Sequence, residues 1–291
     1  MGIPRSAIKL LMREGHQRCF YGSVLTLGKQ HIYACGKDLI KWSDEMAFDL
    51  KNKDGIMLKH GENLNYEDLF HSLGFKTVES MDIDDYQGCS ILHDLNKDVP
   101  NELYNKYDLI YDGGTSEHIF NFPKVLENCF KMLKEGGRII HLLPTSNYID
   151  HGFYMFSPTV FYDYYSSNKY SISGCFLLKL PRDNSLPNEP LWDIYEYLPG
   201  CLDIYRDRGI IRGQYGVWIS AQKTKDTMIY NSIEQGRYLH EWNKYSQERK
   251  NSPNKNGTVG PFKAWLREFL LNNKLASKAP VSVFLDRVAR Y

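Results

Sequence analysis

No two of the six cysteines stand in C-x-x-C spacing: Cys19, Cys35, Cys89, Cys129, Cys175 and Cys201 are scattered along the 291 residues. That pattern points to neither a zinc site nor a disulfide framework, and it reads as reduced thiols. Nor is there an excess of charge of either sign, since 36 Lys and Arg face 35 Asp and Glu for a formal net charge of +1. Nothing in that balance attracts nucleic acid or an acidic membrane surface, so a small-molecule or glycan partner gains weight. No uninterrupted apolar run approaches the roughly 20 residues of a membrane helix, and Ile8 to Met12 is too short for a signal-peptide core. The expectation is a soluble, unexported, cytoplasmic protein. Both a P-loop and a G-x-G-x-x-G phrase are missing, which removes two familiar phosphate cradles, and no metal site is expected.

What is present is organised around Tyr107 to Asn147. Tyr107 to Tyr111 is a short apolar run closed by Asp112-Gly113-Gly114, as a buried strand ending at a turn would be. Phe122, Val125, Leu126, Cys129, Phe130 and Leu133 then recur at spacings of three and four, one apolar face of a helix. Gly136-Gly137 reads as its stop, and Arg138 to Leu143 as a second buried strand broken at Pro144. Strand, helix, strand with short connections makes a right-handed parallel crossover. Ligands of open parallel sheets bind beyond the carboxyl ends of the strands, so Asp112 to His118 and Pro144 to His151 should flank one cleft.

The flanking segments extend the same alternation. Ser6 to Arg13 reads as a helix, Ser23 to Leu27 as the first sheet strand, and Asp38 to Leu50 as a helix carrying Leu39, Trp42, Met46 and Leu50. Asn52 to Asn63 reads as a loop, Tyr66 to Leu73 as a helix stopped by Gly74, and Lys76 to Ile83 and Cys89 to His93 as strands. Beyond the aromatic stretch Tyr148 to Tyr170, with a helix from Ser157, Ser171 to Leu180 and Gln214 to Lys223 read as two more strands. The prolines of Pro181 to Pro199 argue against a strand there. Met228 to Lys250, Pro261 to Leu271 and Val281 to Val288 read as helices, and Asn251 to Gly260 as a linker. The expected fold is α/β, a doubly wound, Rossmann-like, mostly parallel sheet with one antiparallel strand and added C-terminal helices. The expected division is an N-terminal helix in 1–20, the α/β domain in 21–223 with an insertion at 181–213, and a helical extension in 224–291.

This layout, the strand-end acids and DGGTSEHIFNFPKVLENCFKMLKEGGRIIHLLP together resemble the class I S-adenosylmethionine-dependent methyltransferases. In that family the cofactor lies over the ends of the first strands, and Thr115-Ser116-Glu117-His118 is similar to the phrase S/T-x-E-H of its small-molecule members. The resemblance implies S-adenosylmethionine as cofactor. It places Gly28, Lys29 and Gln30 at the methionine part, Asp82 at the ribose hydroxyls with Asp84 as rival, Asp94 and Leu95 at the adenine, and Asp112 and Gly113 on the cleft wall. The sequence departs from the family at its first strand, where Thr26-Leu27-Gly28-Lys29-Gln30-His31 keeps one glycine of a glycine-rich loop and has Thr26 where an acid is common. A lysine and an amide there could bind a carboxylate in place of backbone N–H groups, or could form an ordinary strand-end turn.

His118 and His151 are the candidates for acid–base work, because a positioned imidazole titrates near neutrality and can take a proton from an acceptor hydroxyl. His151 is placed at the reaction and His118 in the more structural part, with Glu117 orienting His118 or capping the next helix. Tyr148, Phe153 and Tyr154, in the loop around His151, are the candidate acceptor contacts, since rings stack on sugars and flat molecules. The function expected is O-methylation of a small molecule or glycan precursor. A methyltransferase-like fold without catalysis, acting as a binding or scaffold subunit, is the alternative.

Overall fold

Strands covered on both faces must be apolar at nearly every position, and Tyr107, Leu109, Ile110 and Tyr111 are indeed buried completely. The computed structural model describes residues 2–58, 63–180, 192–202, 213–229, 233–236, 238–239, 242–243 and 287–290. In chain order the elements are β1 (Gly2–Ile3), α1 (Arg5–Gln17), β2 (Ser23–Leu27), β3 (His31–Ile32), α2 (Gly36–Glu45), α3 (Lys53–Met57), α4 (Tyr66–Leu73), β4 (Thr77–Asp82) and β5 (Ile91–Leu92). There follow β6 (Tyr107–Gly113), α5 (Phe122–Met132), β7 (Leu133–Ser146), α6 (Pro158–Ser167), β8 (Ser171–Leu180), β9 (Asp193–Glu196), β10 (Gln214–Gln222) and β11 (Arg287–Arg290).

One sheet holds all but β1 and β3, in the order β11-β9-β8-β10-β7-β6-β2-β4-β5. From β5 through β4, β2 and β6 to β7 every pairing is parallel. The chain therefore winds outward in two directions from β2, as in a doubly wound fold, and the crevice between the carboxyl ends of β2 and β6 is the switch point. β10 runs antiparallel to both β7 and β8 and is the reversed strand the sequence reading expects.

Two-residue alternation divides the core. Val24, Leu109, Tyr111, Ile140 and Trp218 face α1, α2 and α4, where they meet Leu11, Leu39, Trp42, Leu69 and Phe70. Leu25, Leu27, Ile110, Ile139, Val217 and Ile219 face α5 and α6 and meet Val125, Leu126, Cys129, Met132, Phe161 and Tyr165. Each fully buried large side chain stabilises the fold by about 1.5–3 kcal/mol before entropy is counted. Local signals set the helix ends. The Asn65 side chain accepts the Asp68 N–H at 2.7 Å and Gly74, at φ +120°, stops α4; Ser157 caps α6 ahead of Pro158. Among the described residues no helix is long and apolar enough to cross a membrane.

Several expectations need correction. β7 runs through both Gly136-Gly137 and Pro144, spanning Leu133–Ser146. Pro144 is tolerated because it faces Gly216, where the ladder already shifts register. Residues 53–57 form the short α3 inside the expected loop, and α2 ends at Glu45, ahead of Ala47 at φ +51°. The 181–213 insertion does enter the sheet: Asp193–Glu196 lies between Pro190 and Pro199, free of proline, and pairs with β8 as a second reversed strand. Arg287–Arg290 pairs with β9, so the last segment is not wholly helical. The linker at 251–260, the helix at 261–271 and most of those at 228–250 and 281–288 lie outside the described residues.

Candidate functional site

At the switch point the loops leaving β2 and β6 are tied together. Gly28, at φ +70°, donates its N–H to Met81 O on β4 at 2.7 Å, and the Thr115 hydroxyl donates to Leu27 O at 2.5 Å. Gln30 is buried, and its Nε2 donates to Leu27 O at 3.0 Å and at the limit to Gly28 O at 3.4 Å. Its Oε1 has no hydrogen-bond partner among the described residues and lies beside Gly113, where a Cβ would come within 2.8 Å of it and 2.5 Å of the Tyr111 ring. Gly113 thus leaves room that any side chain would fill. A buried carbonyl oxygen without a donor costs about 1–3 kcal/mol, and a ligand ammonium is a group that would satisfy it. Lys29 is turned elsewhere: its Nζ donates to Gly88 O at 3.1 Å and sits over the Tyr66 ring.

The strand-end acids differ from one another. Asp82 closes β4, and its Oδ1 accepts the Ile83 N–H at 2.8 Å, while its Oδ2 accepts no hydrogen bond among the described residues. Asp84 closes a turn by accepting the Tyr86 N–H. Asp94 accepts from the Asn96 side chain and backbone at 2.9 and 3.0 Å and pairs with Lys97, bonds that hold its carboxyl below the usual range. Its carboxylate is thus engaged in its own turn, which departs from the adenine contact expected. Leu95 is buried in the core face under α5.

Asp112 is the clearest correction. It is fully buried, and its carboxylate does not line the cleft: Oδ1 accepts the N–H groups of Thr115 and Ser116 at 3.2 Å each, and Oδ2 accepts from Ser116 Oγ at 2.5 Å and His141 Nδ1 at 2.7 Å. With Nδ1 donating, His141 Nε2 accepts from the Tyr165 hydroxyl at 2.6 Å. Asp112 therefore pins the turn that carries the next residues. Sequence reasoning missed His141, whose one signal is its place in the apolar run RIIHLL.

That turn is a single 3-10 turn, Ser116–His118, and it brings Glu117 and His118 to the loop after β7. Glu117 Oε1 lies 3.5 Å from His151 Nε2 and 3.8 Å from His118 Nε2, and the two imidazole rings are 5.2 Å apart. The loop is held by Tyr154, whose N–H donates to Glu117 O at 3.2 Å and whose hydroxyl donates to Phe120 O at 2.6 Å. Gly152 must lack a side chain, since a Cβ would lie 2.9 Å from Glu117 O and 3.1 Å from His118 Nδ1. Glu117 is 1 % exposed and its Oε2 has no partner among the described residues, whereas the side chains of His118 and His151 are 42 % and 48 % exposed.

Electrostatics follow from that placement. Burial, and then the charge of Asp112, push the Glu117 carboxyl up to about 8. Burial and the neighbouring His151 lower His118. Tyr148, its ring 5.5 Å from that of His151, is pushed up to about 12 by burial and then by Glu117. Phe153 is exposed and packs edge-on against Phe120, whose carbonyl accepts from the Tyr154 hydroxyl, while Tyr148 packs against His151. The structure therefore brings Glu117, His118, His151 and the Tyr154 backbone together, with Tyr148 against His151 and Phe153 on Phe120 beside them.

No protein-family model matches the chain, and no curated protein is similar to it in sequence. Solved structures resemble it in fold. A SAM-dependent methyltransferase from Archaeoglobus fulgidus is 14% identical, with a TM-score of 0.40 over 75% of this chain and 94% of its own. The O-methyltransferase of a trans-AT PKS multienzyme of Brevibacillus brevis, in complex with S-adenosyl-L-homocysteine, is 16% identical, with a TM-score of 0.42 over 88% of this chain and 86% of its own. The branched-chain polyamine synthase of Thermus thermophilus is 12% identical, with a TM-score of 0.37 over 78% of this chain and 59% of its own.

Proposed function

We propose that the protein transfers a methyl group from S-adenosylmethionine to an oxygen of a small hydroxylated molecule or glycan precursor. The observation that carries this reading is the convergence of Glu117, His118 and His151 at the carboxyl ends of β6 and β7, next to the switch point between β2 and β6. Methyl transfer from a sulfonium has a good leaving group, so the protein's part is to align the acceptor and help its hydroxyl lose a proton. Tyr148 and Phe153 offer ring faces to the acceptor, and the two exposed imidazoles meet its hydroxyl. The free oxygen of Asp82 suits ribose hydroxyls, which both donate, and the unmatched Gln30 Oε1 suits the cofactor's ammonium.

One observation favours a second reading, a binding or scaffold subunit without catalysis: the Gln30 amide already bonds the carbonyls at the end of β2, where a glycine-rich loop would stay open. Incubation with methyl-labelled S-adenosylmethionine and a panel of hydroxylated acceptors separates the two. Label in an acceptor, stable to conditions that cleave methyl esters, supports transfer to a hydroxyl. Absence of transfer across sugars, phenols and aliphatic alcohols, together with unmodified cofactor, supports the scaffold.

A further inference from the structure

We infer that Glu117, His118 and His151 bind a divalent transition-metal ion whose open positions take the acceptor's oxygen. The inference rests on the reading of this cluster as the acceptor site. One ligand atom from each of the three residues lies within 4.8 Å of the other two. Bonds of about 2.0–2.2 Å to a common ion put ligand atoms about 3–4.3 Å apart. The 3.5 and 3.8 Å separations from Glu117 fall inside that range, and side-chain shifts of about half an ångström bring in the widest pair.

A second observation points to a cation. Among the described residues, Glu117 Oε2 is buried without a hydrogen-bond partner, in a residue 1 % exposed, and no Lys or Arg forms an ion pair with Glu117. A buried carboxyl either stays protonated or, once ionised, is hydrogen-bonded, paired or bound to a metal, and a metal ion is the partner the two adjacent imidazoles would share. The backbone around the cluster is fixed, as a metal site requires, by Tyr154 N–H on Glu117 O and by Asp112 on the N–H groups of Thr115 and Ser116. Two imidazoles and one carboxylate make a three-ligand set that leaves positions open on the exposed histidine side. Imidazole favours zinc, iron, cobalt or nickel over magnesium and calcium, which prefer oxygen alone.

In this arrangement the acceptor hydroxyl takes an open position, and the ion draws charge from its oxygen so that the O–H proton leaves to solvent water. The oxygen pair then forms the O–C bond to the methyl carbon while the C–S bond breaks. Its electron pair stays on sulfur, converting the sulfonium to a neutral thioether, and one proton is released overall. His151 acts here as a ligand, and the ion activates the hydroxyl.

The test is titration of the full chain, stripped with a chelator, with cobalt(II) chloride, read by calorimetry and visible absorption. The expected result is one equivalent bound, with d–d bands of a nitrogen- and oxygen-ligated ion, and no comparable heat with magnesium chloride. Glu117→Gln, which keeps the side chain's shape, and His151→Ala, at a half-exposed position, should weaken cobalt binding by more than the roughly 10–100-fold typical of second-shell changes. Circular dichroism checks that both variants are folded. Absence of cobalt binding, or equal binding by wild type and a folded Glu117→Gln protein, overturns the inference. S-adenosylhomocysteine titrated into the same samples separates the two readings. Its binding without cobalt binding removes the ion and leaves methyl transfer, whereas cobalt binding without it removes the cofactor and leaves the ion.

Discussion

His141 Nδ1 donates to Asp112 Oδ2 at 2.7 Å, with both side chains fully buried between adjacent strands β6 and β7. The same carboxylate holds the Thr115-Ser116 turn, so core stability and the position of Glu117 depend on one group. Asp112→Ala is expected to cost about 3–5 kcal/mol in urea unfolding, because it leaves a buried imidazole and two backbone donors without their acceptor. Asp112→Asn, which keeps one acceptor oxygen, should cost less.

His151→Ala is expected to lower turnover of a hydroxylated acceptor by about 10²–10⁴-fold, the range for loss of a positioned activating group. S-adenosylhomocysteine affinity, measured by calorimetry, should stay at the wild-type value. Equal losses in turnover and cofactor affinity would place His151 at the cofactor instead.

Much of the fold is legible because its signals are local. β2, α4 and β8 begin and end where the apolar runs and Gly28, Gly74 and the proline at 181 indicate. β9 is hidden by counting prolines over the whole insertion, although none falls within 193–196. The site is legible in part for a different reason. His118 and His151 stand at strand ends, where topology alone brings them together. Asp112 stands at a strand end too, yet its register opposite His141 turns it into the core, and register is a property of two strands. The central place of Glu117 likewise depends on a turn held by that buried carboxylate, which no local pattern encodes.

Glu14 ties α1 to the sheet: its Oε1 meets Arg138 Nη1 at 3.1 Å and accepts from Ser220 Oγ at 2.7 Å, and both ion-pair partners are buried. Arg138→Ala should destabilise by about 3–5 kcal/mol, because it strands the carboxylate. The double variant Glu14→Gln with Arg138→Met should recover part of that loss in the same unfolding assay.

Glu79 supplies an acid-side prediction. Burial acts to raise its carboxyl, but hydrogen bonds from Lys106 at 3.0 Å and Tyr107 at 2.6 Å outweigh it and hold the group below its ordinary value. A carboxyl depressed on folding adds stability above its unfolded value, and that stability is lost as pH falls through the folded one. Tyr107→Phe should therefore cost about 1–3 kcal/mol near neutrality, the worth of a hydrogen bond to a charged group, and the gap from wild type should narrow in acid. Unfolding midpoints from pH 7 downward test this, and a gap constant with pH would refute it.

Methyl transfer by this protein requires that the crevice at β2, β4 and β6 take S-adenosylmethionine, and calorimetric titration with S-adenosylhomocysteine tests that most directly. Saturable one-to-one binding is expected, weakened by about 1–3 kcal/mol in Asp82→Ala as the ribose loses a charged acceptor. No binding at about millimolar ligand, or the same affinity in wild type and Asp82→Ala, would contradict it.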